Sequence, residues 1–230
     1  MAEQPDFVLF GSAHLTVLAV TLVLGLTLSR LRSSETATQQ ARVIAMLLLV
    51  VALLKPLLYI GIYEQPWNAS LPLNLCRINE FFCVYMLWQR SFRTFEVAYF
   101  LAMAGSVIAL LTPDLEHGFP DPRFLSFFFS HSLSVLAVLY AVFGYGFRPT
   151  LRSVGVVFVF LSAWTLFMVG VNQVLDANYL FLREKPEGAS VLDFLGPWPY
   201  YVFAQIGIAI VACFVCYLPF AFRRKDAQPG

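Results

Sequence analysis

Long apolar runs, separated by short polar connections, are the main pattern in this sequence. Seven such runs of roughly 18 to 25 residues follow one another, and a helix of about 20 residues is long enough to cross a bilayer. The pattern predicts an all-α membrane protein, a single bundle of seven transmembrane helices that occupies residues 1–230. The predicted spans are 9–30, 41–62, 71–90, 94–112, 122–146, 151–175 and 198–221.

Basic residues in the connections indicate which way the chain crosses the membrane. Arginine is concentrated in the first, third and fifth connections and in the C-terminal tail, whereas the second, fourth and sixth connections are richer in Asp and Glu. Since cytoplasmic loops carry the excess of Lys and Arg, we predict an external N-terminus and a cytoplasmic C-terminus. The basic residues of the first connection and the tail are Arg30, Arg32, Arg42, Arg223, Arg224 and Lys225.

Composition narrows the possible partners. Charged residues make up only 13% of the chain, against about 25% in a soluble domain, and hydrophobic residues make up 59%. The net charge of +1 gives no reason to expect a nucleic-acid partner. No set of His, Cys, Asp and Glu has the spacing of a metal site, and we expect neither a metal nor another cofactor. The Cys213-x-x-Cys216 pair is expected to pack as small apolar residues.

Polar and ionisable side chains collect in the predicted outer half of the membrane. At about 1.5 Å per residue, Lys55, Cys76, His131 and Asn172 each lie within roughly 6 to 14 Å of the outer boundary, on four different spans. A polar side chain in hydrocarbon is costly unless it faces the protein interior. We therefore predict that these spans enclose a polar site. His14 and His117 are expected at the periphery.

Helical spacing sharpens this prediction for the third span. Cys76, Asn79, Glu80 and Cys83 stand at i, i+3, i+4 and i+7 and so share one helix face. Arg77 lies about 100° from Cys76 but is expected to reach Glu80. On the sixth span, Asn172 and Asp176 share a face in the same way.

A cysteine near a histidine is the set needed for nucleophilic catalysis. The imidazole takes the thiol proton, and neighbouring positive charge stabilises the thiolate. We expect Cys76 as the nucleophile and His131 as the general base, although nothing in the spacing brings the two together. The expected substrate-binding residues are Lys55, Asn74, Arg77, Asn79, Glu80, Asn172, Asp176, Asn178 and Lys185. The long sixth connection, residues 176–197, is expected to be an external loop that covers the site.

The same residues also have plain structural interpretations. Lys55 and Glu80 fit an ion pair that joins two helices, Arg77 fits a side chain that snorkels to the headgroups, and a buried histidine is often a hydrogen-bond linker. Two other function classes stay open on the sequence alone. One is a transporter or binder of a small polar or amphipathic solute, and the other is a structural or assembly protein.

Three segments resemble a known family in order and spacing. They are LPLNLCRINEFF, FPDPRFLSFFFSHSLSVLAVLY and NQVLDANYLFLREKPEGASVLDFLGPWPYY. Together they resemble the YwaF-like bacterial integral membrane proteins and, through them, an animal seven-helix transmembrane cysteine acyltransferase. The resemblance covers nearly the whole chain. It implies a compact seven-helix protein of the bacterial inner or plasma membrane, with its N-terminus outside.

The resemblance also implies a reaction and a partner. The animal relative moves fatty acyl groups between phospholipids through a cysteine, so a phospholipid or another acyl lipid is the implied partner. Its cysteine corresponds to Cys76, and its histidine on the fifth helix corresponds to His131. Asn74 and Arg77, which flank Cys76, depart from the pattern of the family. The later motif is matched by Asn172, Asn178, Tyr179, Lys185, Pro186, Ser190 and Asp193.

Overall fold

The computed structural model describes residues 5–28, 35–186 and 191–222, and over these residues the protein is all-α. The described part contains no β-strand, only an isolated bridge between Asp6 and His117. The helices are α1 Ser12–Leu28, α2 Glu35–Gly61, α3 Trp67–Ser70, α4 Leu75–Gln89, α5 Phe92–Phe100, a π-helix Leu101–Ser106, α6 Val107–Leu111, α7 Pro122–Phe143, α8 Leu151–Leu175 and α9 Tyr200–Ala221, with 3₁₀ turns at Tyr179–Phe181 and Val191–Leu195.

Five helical stretches of the described chain are long and apolar enough to cross a membrane. They are Thr38–Gly61, Phe92–Leu111, Pro122–Phe143, Leu151–Leu175 and Tyr200–Ala221. The apolar helix α1 has 17 residues and α4 has 15, so both are shorter than these five. The chain is therefore a multi-pass membrane protein.

The helices begin and end close to the limits of the apolar runs. Helix α8 covers the predicted span 151–175 residue for residue. The predicted span 94–112 corresponds to α5, the π-helix and α6, which follow one another without a break. Polar residues fix several ends: the Asp121 side chain accepts a hydrogen bond from the Arg123 amide at the start of α7, and Thr150 and Ser153 form a capping box at the start of α8. The basic residues predicted to orient the chain at 30, 32 and 223–225 lie outside the described residues.

Helix α7 lies at the centre of the bundle. Most of its side chains are buried, and it packs against α1, α2, α4 and the π-helix. Helix α2 presents a row of small buried residues, Ala41, Ala45 and Ala52, and small side chains let membrane helices approach closely. The outer helices expose apolar side chains instead: Leu166 and Val174 of α8 are 75% and 84% exposed. These faces suit contact with lipid.

Neighbouring helices run antiparallel, so their ends meet at two levels. At one level Tyr63, just after α2, bonds to Asp121 before α7, and Asn68 bonds to the Leu175 carbonyl at the end of α8. At the other level Tyr145 after α7 donates to the Leu87 carbonyl of α4. We call the first level the long-loop end, because the described loop residues 176–186 follow α8 there. The candidate site residues belong to helix segments next to this end.

Candidate functional site

Lys55 holds three helices together close to the long-loop end. Its Nζ atom donates to Glu80 Oε1 of α4 at 2.5 Å and to Ser130 Oγ of α7 at 2.7 Å. Lys55 is 6% exposed, Glu80 2% and Ser130 0%. The Lys55–Glu80 ion pair anticipated from the sequence is thus present. A buried pair needs such geometry, because the desolvation of both charges has to be offset.

Cys76 and His131 share Lys55 as a neighbour. The Lys55 ammonium interacts electrostatically with both the Cys76 thiol and the His131 imidazole. Cys76 is half-buried in the first turn of α4, and His131, which follows Ser130 on α7, is buried. A thiol on α4 and an imidazole on α7 are therefore both within electrostatic range of one cation.

The hydrogen bonds of His131 indicate its tautomer. Its Nδ1 atom lies 2.7 Å from the carbonyl oxygen of Phe127, one turn earlier on α7. A carbonyl can only accept, so Nδ1 carries the proton and Nε2 of the neutral ring has a free lone pair. Nε2 has no hydrogen-bond partner within the described ranges. The Phe127 ring, 4.2 Å away between ring centroids, packs on the imidazole and restricts its rotation.

Two asparagines of the α4 region have unused polar atoms. Asn74 is the N-cap residue of α4, but its side chain makes no capping hydrogen bond. Asn79 is 0% exposed, and neither its Nδ2 nor its Oδ1 has a hydrogen-bond partner in the described part of the chain. A buried amide without a partner is uncommon in folded proteins and costly, which makes Asn79 a candidate for ligand contact.

Arg77 turns away from Glu80. Its NH1 group donates to the Ser70 carbonyl at 2.6 Å, and the guanidinium lies over the Tyr59 ring with 5.1 Å to the ring centroid. The predicted contact with Glu80 is not made, because Glu80 bonds to Lys55 instead. Arg77 therefore places a cation at the long-loop end of α4, next to Cys76 in the chain.

A second cation group lies beside Arg77 and was not identified from the sequence. Arg123 donates from Nε and NH2 to the two oxygens of Asp121, both at 3.1 Å, and its guanidinium stacks on the Tyr63 ring at 4.2 Å. Burial alone would raise the pKa of the Asp121 carboxyl, but the hydrogen bonds from Arg123 outweigh it and lower that pKa below its ordinary value. Asp121 thus remains the counter-ion of Arg123.

Asn172, which is predicted to bind substrate, bonds to the backbone of the long loop. Its Nδ2 donates to the Tyr179 carbonyl at 2.9 Å and its Oδ1 accepts from the Tyr179 amide at 2.7 Å. Tyr179 in turn donates from its hydroxyl to the Asn68 carbonyl at 2.6 Å. These hydrogen bonds tie the end of α8 to the loop, and the loop to α3.

The other predicted loop residues also bond within the loop. Asp176, 89% exposed in its side chain, pairs with Arg183 at 2.7 Å, and Asn178 bonds through both side-chain atoms to the backbone of Arg183 and Glu184. Lys185 lies 3.8 Å from Asp193 and over the Tyr201 ring. The structure thus separates the nine predicted binding residues into two groups. Lys55 and Glu80 lie within electrostatic range of Cys76, and Asn74, Arg77 and Asn79 belong to the same helix end as Cys76, whereas Asn172, Asp176, Asn178 and Lys185 bond within the loop or to it.

The structure corrects the expectation for His14 and adds Ser130. His14 is not peripheral but 1% exposed: its Nδ1 accepts from the Phe10 amide at 3.0 Å and its Nε2 donates to the Leu110 carbonyl at 2.7 Å. It is a structural linker between α1 and α6. Ser130 was missed as a Lys55 partner, although its spacing from Ser134, one turn later on the same face, is a readable signal of an inward polar stripe.

Metal and disulfide chemistry have no support in the described residues. They contain no group of three or more His, Cys, Asp or Glu side chains placed to hold a metal ion. Cys76, Cys83, Cys213 and Cys216 are free thiols.

Comparison with known proteins identifies a family. The model of the TMEM164 family matches residues 9–217 of the chain. No curated protein and no solved structure matches significantly. The match covers nearly all of the chain, including every helix of the site, and the chain therefore belongs to the TMEM164 family.

Proposed function

We propose that this member of the TMEM164 family is a membrane-embedded acyltransferase that moves fatty acyl groups between phospholipids through a thioester on Cys76. The observation that supports it is the position of Lys55, bonded to Glu80 and Ser130 and in electrostatic reach of both Cys76 and His131. His131 would be the general base, because its Nδ1 is committed to a carbonyl and its Nε2 keeps a lone pair.

The first half of the reaction acylates the enzyme. The Cys76 thiol gives its proton to His131 Nε2, and the thiolate attacks the ester carbonyl carbon of the donor phospholipid. The carbon–oxygen bond to glycerol breaks, and the leaving alkoxide takes the proton back from the imidazolium. The products are a lysophospholipid and an acyl thioester on Cys76.

The second half transfers the acyl group. A hydroxyl of the acceptor lipid gives its proton to His131, attacks the thioester carbonyl and displaces the Cys76 thiolate, which is then protonated by the imidazolium. Lys55 favours the thiolate in both halves through its positive charge, while Glu80 keeps the ammonium in place. Arg77 suits the headgroup phosphate, since it is a half-buried cation at the long-loop end that forms no ion pair within the described residues.

We extend the proposal to topology. The chain would cross the cell membrane seven times, with α1 and α4 as the two short crossings, an external N-terminus and a cytoplasmic C-terminus, as a single domain. The site then opens to the outer leaflet, and the 176–197 loop covers it. Exclusion of water by this loop favours transfer to a lipid hydroxyl over hydrolysis.

The test is acyl exchange in liposomes with a labelled phospholipid and an unlabelled lysophospholipid. Cys76→Ala is expected to abolish exchange, and His131→Ala to slow it by about 10² to 10⁴. Cys216→Ala is the matched control, because Cys216 is a half-buried free thiol of α9, far along the chain from the site, and should keep the wild-type rate. Exchange by Cys76→Ala at the wild-type rate would remove the nucleophile.

A binder or transporter of a small polar solute is the second candidate. The unpaired amide of Asn79 and the mixed charges around Lys55 offer donors and acceptors to such a solute. Labelled-solute uptake that survives Cys76→Ala, in liposomes without acyl exchange, would favour this candidate over the enzyme.

A further inference from the structure

Three buried side-chain polar atoms of the described chain lack hydrogen-bond partners. They are Nδ2 and Oδ1 of Asn79 on α4 and Oγ of Ser106, the last residue of the π-helix, and none has a partner among the described residues. Asn79 is 0% exposed and Ser106 1%. A buried polar atom left unpaired costs about 1 to 3 kcal/mol, so such atoms usually serve a bound group or a function.

The direction of Asn79 follows from the contacts of its neighbours on α4. Successive residues of a helix are about 100° apart around its axis. Viewed along α4, Glu80 lies about 40° to one side of Cys76. Cys83 and, further round at about 60°, Asn79 lie to the other side. Glu80 faces Lys55 on α2, and the Cys83 thiol faces the Ser134 carbonyl on α7. Continuing the same turn carries Asn79 past α7, to the side where the π-helix packs against both α4 and α7. Cys76 therefore has a charged group on one side and the Asn79 amide on the other.

Ser106 lies near the level of the first turns of α4. Helix α4 and the stretch that contains the π-helix pack against each other and are joined by a tight turn at Arg90 and Ser91, so they run antiparallel. Cys76 precedes Arg90 by 14 residues, Asn79 precedes it by 11, and Ser106 follows Ser91 by 15, so the helical rise places Ser106 across from the segment that carries Cys76 and Asn79. The π-helix also widens the turn that ends at Ser106, and such widened turns often occur at functional sites.

We propose that Asn79 Nδ2 and Ser106 Oγ donate hydrogen bonds to the carbonyl oxygen of the acyl group while it is attacked by or attached to Cys76. This inference rests on the proposed acyl transfer. As the Cys76 thiolate adds to the carbonyl carbon, the carbonyl electron pair moves onto oxygen, and the two donors stabilise the resulting oxyanion. The pair returns to re-form the carbonyl when the bond to the glycerol oxygen breaks and His131 protonates that oxygen. Donors already fixed in a dry site stabilise such charge strongly.

The experiment measures thioester formation by the reconstituted full-length protein. The probe is radiolabelled phosphatidylcholine in vesicles, and the readout is hydroxylamine-sensitive label on Cys76, per amount of folded protein. At saturating lipid, Asn79→Leu and Asn79→Asp are expected to slow acylation by about 10² to 10³, and Ser106→Ala by about tenfold, with an unchanged half-saturating lipid concentration. Ser134→Ala is the matched control, because its hydroxyl bonds to the Ser130 carbonyl of its own helix, and it should keep the wild-type rate.

The thermal midpoint separates this role from a structural one. Because the Asn79 amide has no partner in the unacylated protein, Asn79→Leu should fold with a midpoint at or above that of the wild type. An acylation rate of Asn79→Leu within about tenfold of the wild-type rate overturns the inference. A slower rate also overturns it if the thermal midpoint falls and the half-saturating lipid concentration rises. If the wild type itself forms no thioester, the acyl-transfer proposal fails first. If the wild type and Asn79→Leu react alike, only the inference fails.

Discussion

Lys55 is the residue on which the candidate site depends, and its pairing with Glu80 makes a quantitative prediction. Breaking a buried ion pair leaves one charge uncompensated, so Lys55→Met and Glu80→Leu should each lower the free energy of unfolding by roughly 3 to 5 kcal/mol. The double variant removes both charges and should lose clearly less than the sum. Unfolding in mixed micelles by denaturing detergent measures the cycle.

The exposed pair of Asp176 and Arg183 is the control for this cycle. Both side chains are largely in solvent, so Arg183→Ala should leave the unfolding midpoint unchanged. Strictly additive losses for Lys55→Met and Glu80→Leu would mean that the two side chains do not interact as an ion pair.

Residue type and depth predicted part of this cluster. Lys55, Cys76 and His131 stand out in the sequence because ionisable or reactive side chains are rare in apolar runs, and the helix period placed Asn79 and Glu80 on the face of Cys76. The partners were not predictable in the same way. Glu80 had Lys55 and Arg77 within plausible reach, and only the packing of α2 against α4 decides for Lys55.

At the level of elements, the segment after α8 is fixed by side chains that were expected to bind substrate. Asn172 makes two hydrogen bonds to the Tyr179 backbone, so Asn172→Ala should release the loop and cost about 1 to 3 kcal/mol. Limited proteolysis of the protein in liposomes is expected to cleave this variant faster between residues 176 and 199.

Gln173→Ala provides the comparison for the loop. Gln173 is the neighbouring residue on α8 but is exposed, so its removal should leave the cleavage rate as in the wild type. If Asn172→Ala resists the protease like the wild type but loses lipid binding, Asn172 contacts substrate rather than holding the loop.

Helix boundaries were largely predictable, whereas the irregularity inside one helix was not. The apolar runs and their polar ends locate α7 and α8 within a few residues, since capping residues and Pro122 mark their starts. The π-helix Leu101–Ser106 has the sequence LAMAGS, whose composition does not differ from that of an ordinary membrane helix. This π-helix packs against α4 and α7, and such tertiary contacts leave no mark in a local sequence pattern.

At the scale of the whole molecule, the distribution of basic residues predicts which surface faces outward. Cysteines introduced at the exposed positions Glu64 and Glu184 should react in intact cells with a membrane-impermeant maleimide. Cysteines at the exposed positions Gln89 and Arg152 should react only after the membrane is permeabilised. The parent protein, with its own four thiols, sets the background. Reversed labelling would contradict the orientation and place the site in the inner leaflet.

The central claim is that Cys76 carries an acyl group during turnover. Mass spectrometry of the Cys76 peptide, after brief incubation of the purified protein with phospholipid vesicles, tests it most directly. We expect a mass increase of one fatty acyl group on Cys76, removed by hydroxylamine. The increase should be absent in Cys76→Ala and present in Cys216→Ala. An unmodified Cys76 in a protein that exchanges acyl groups at its full rate would contradict it.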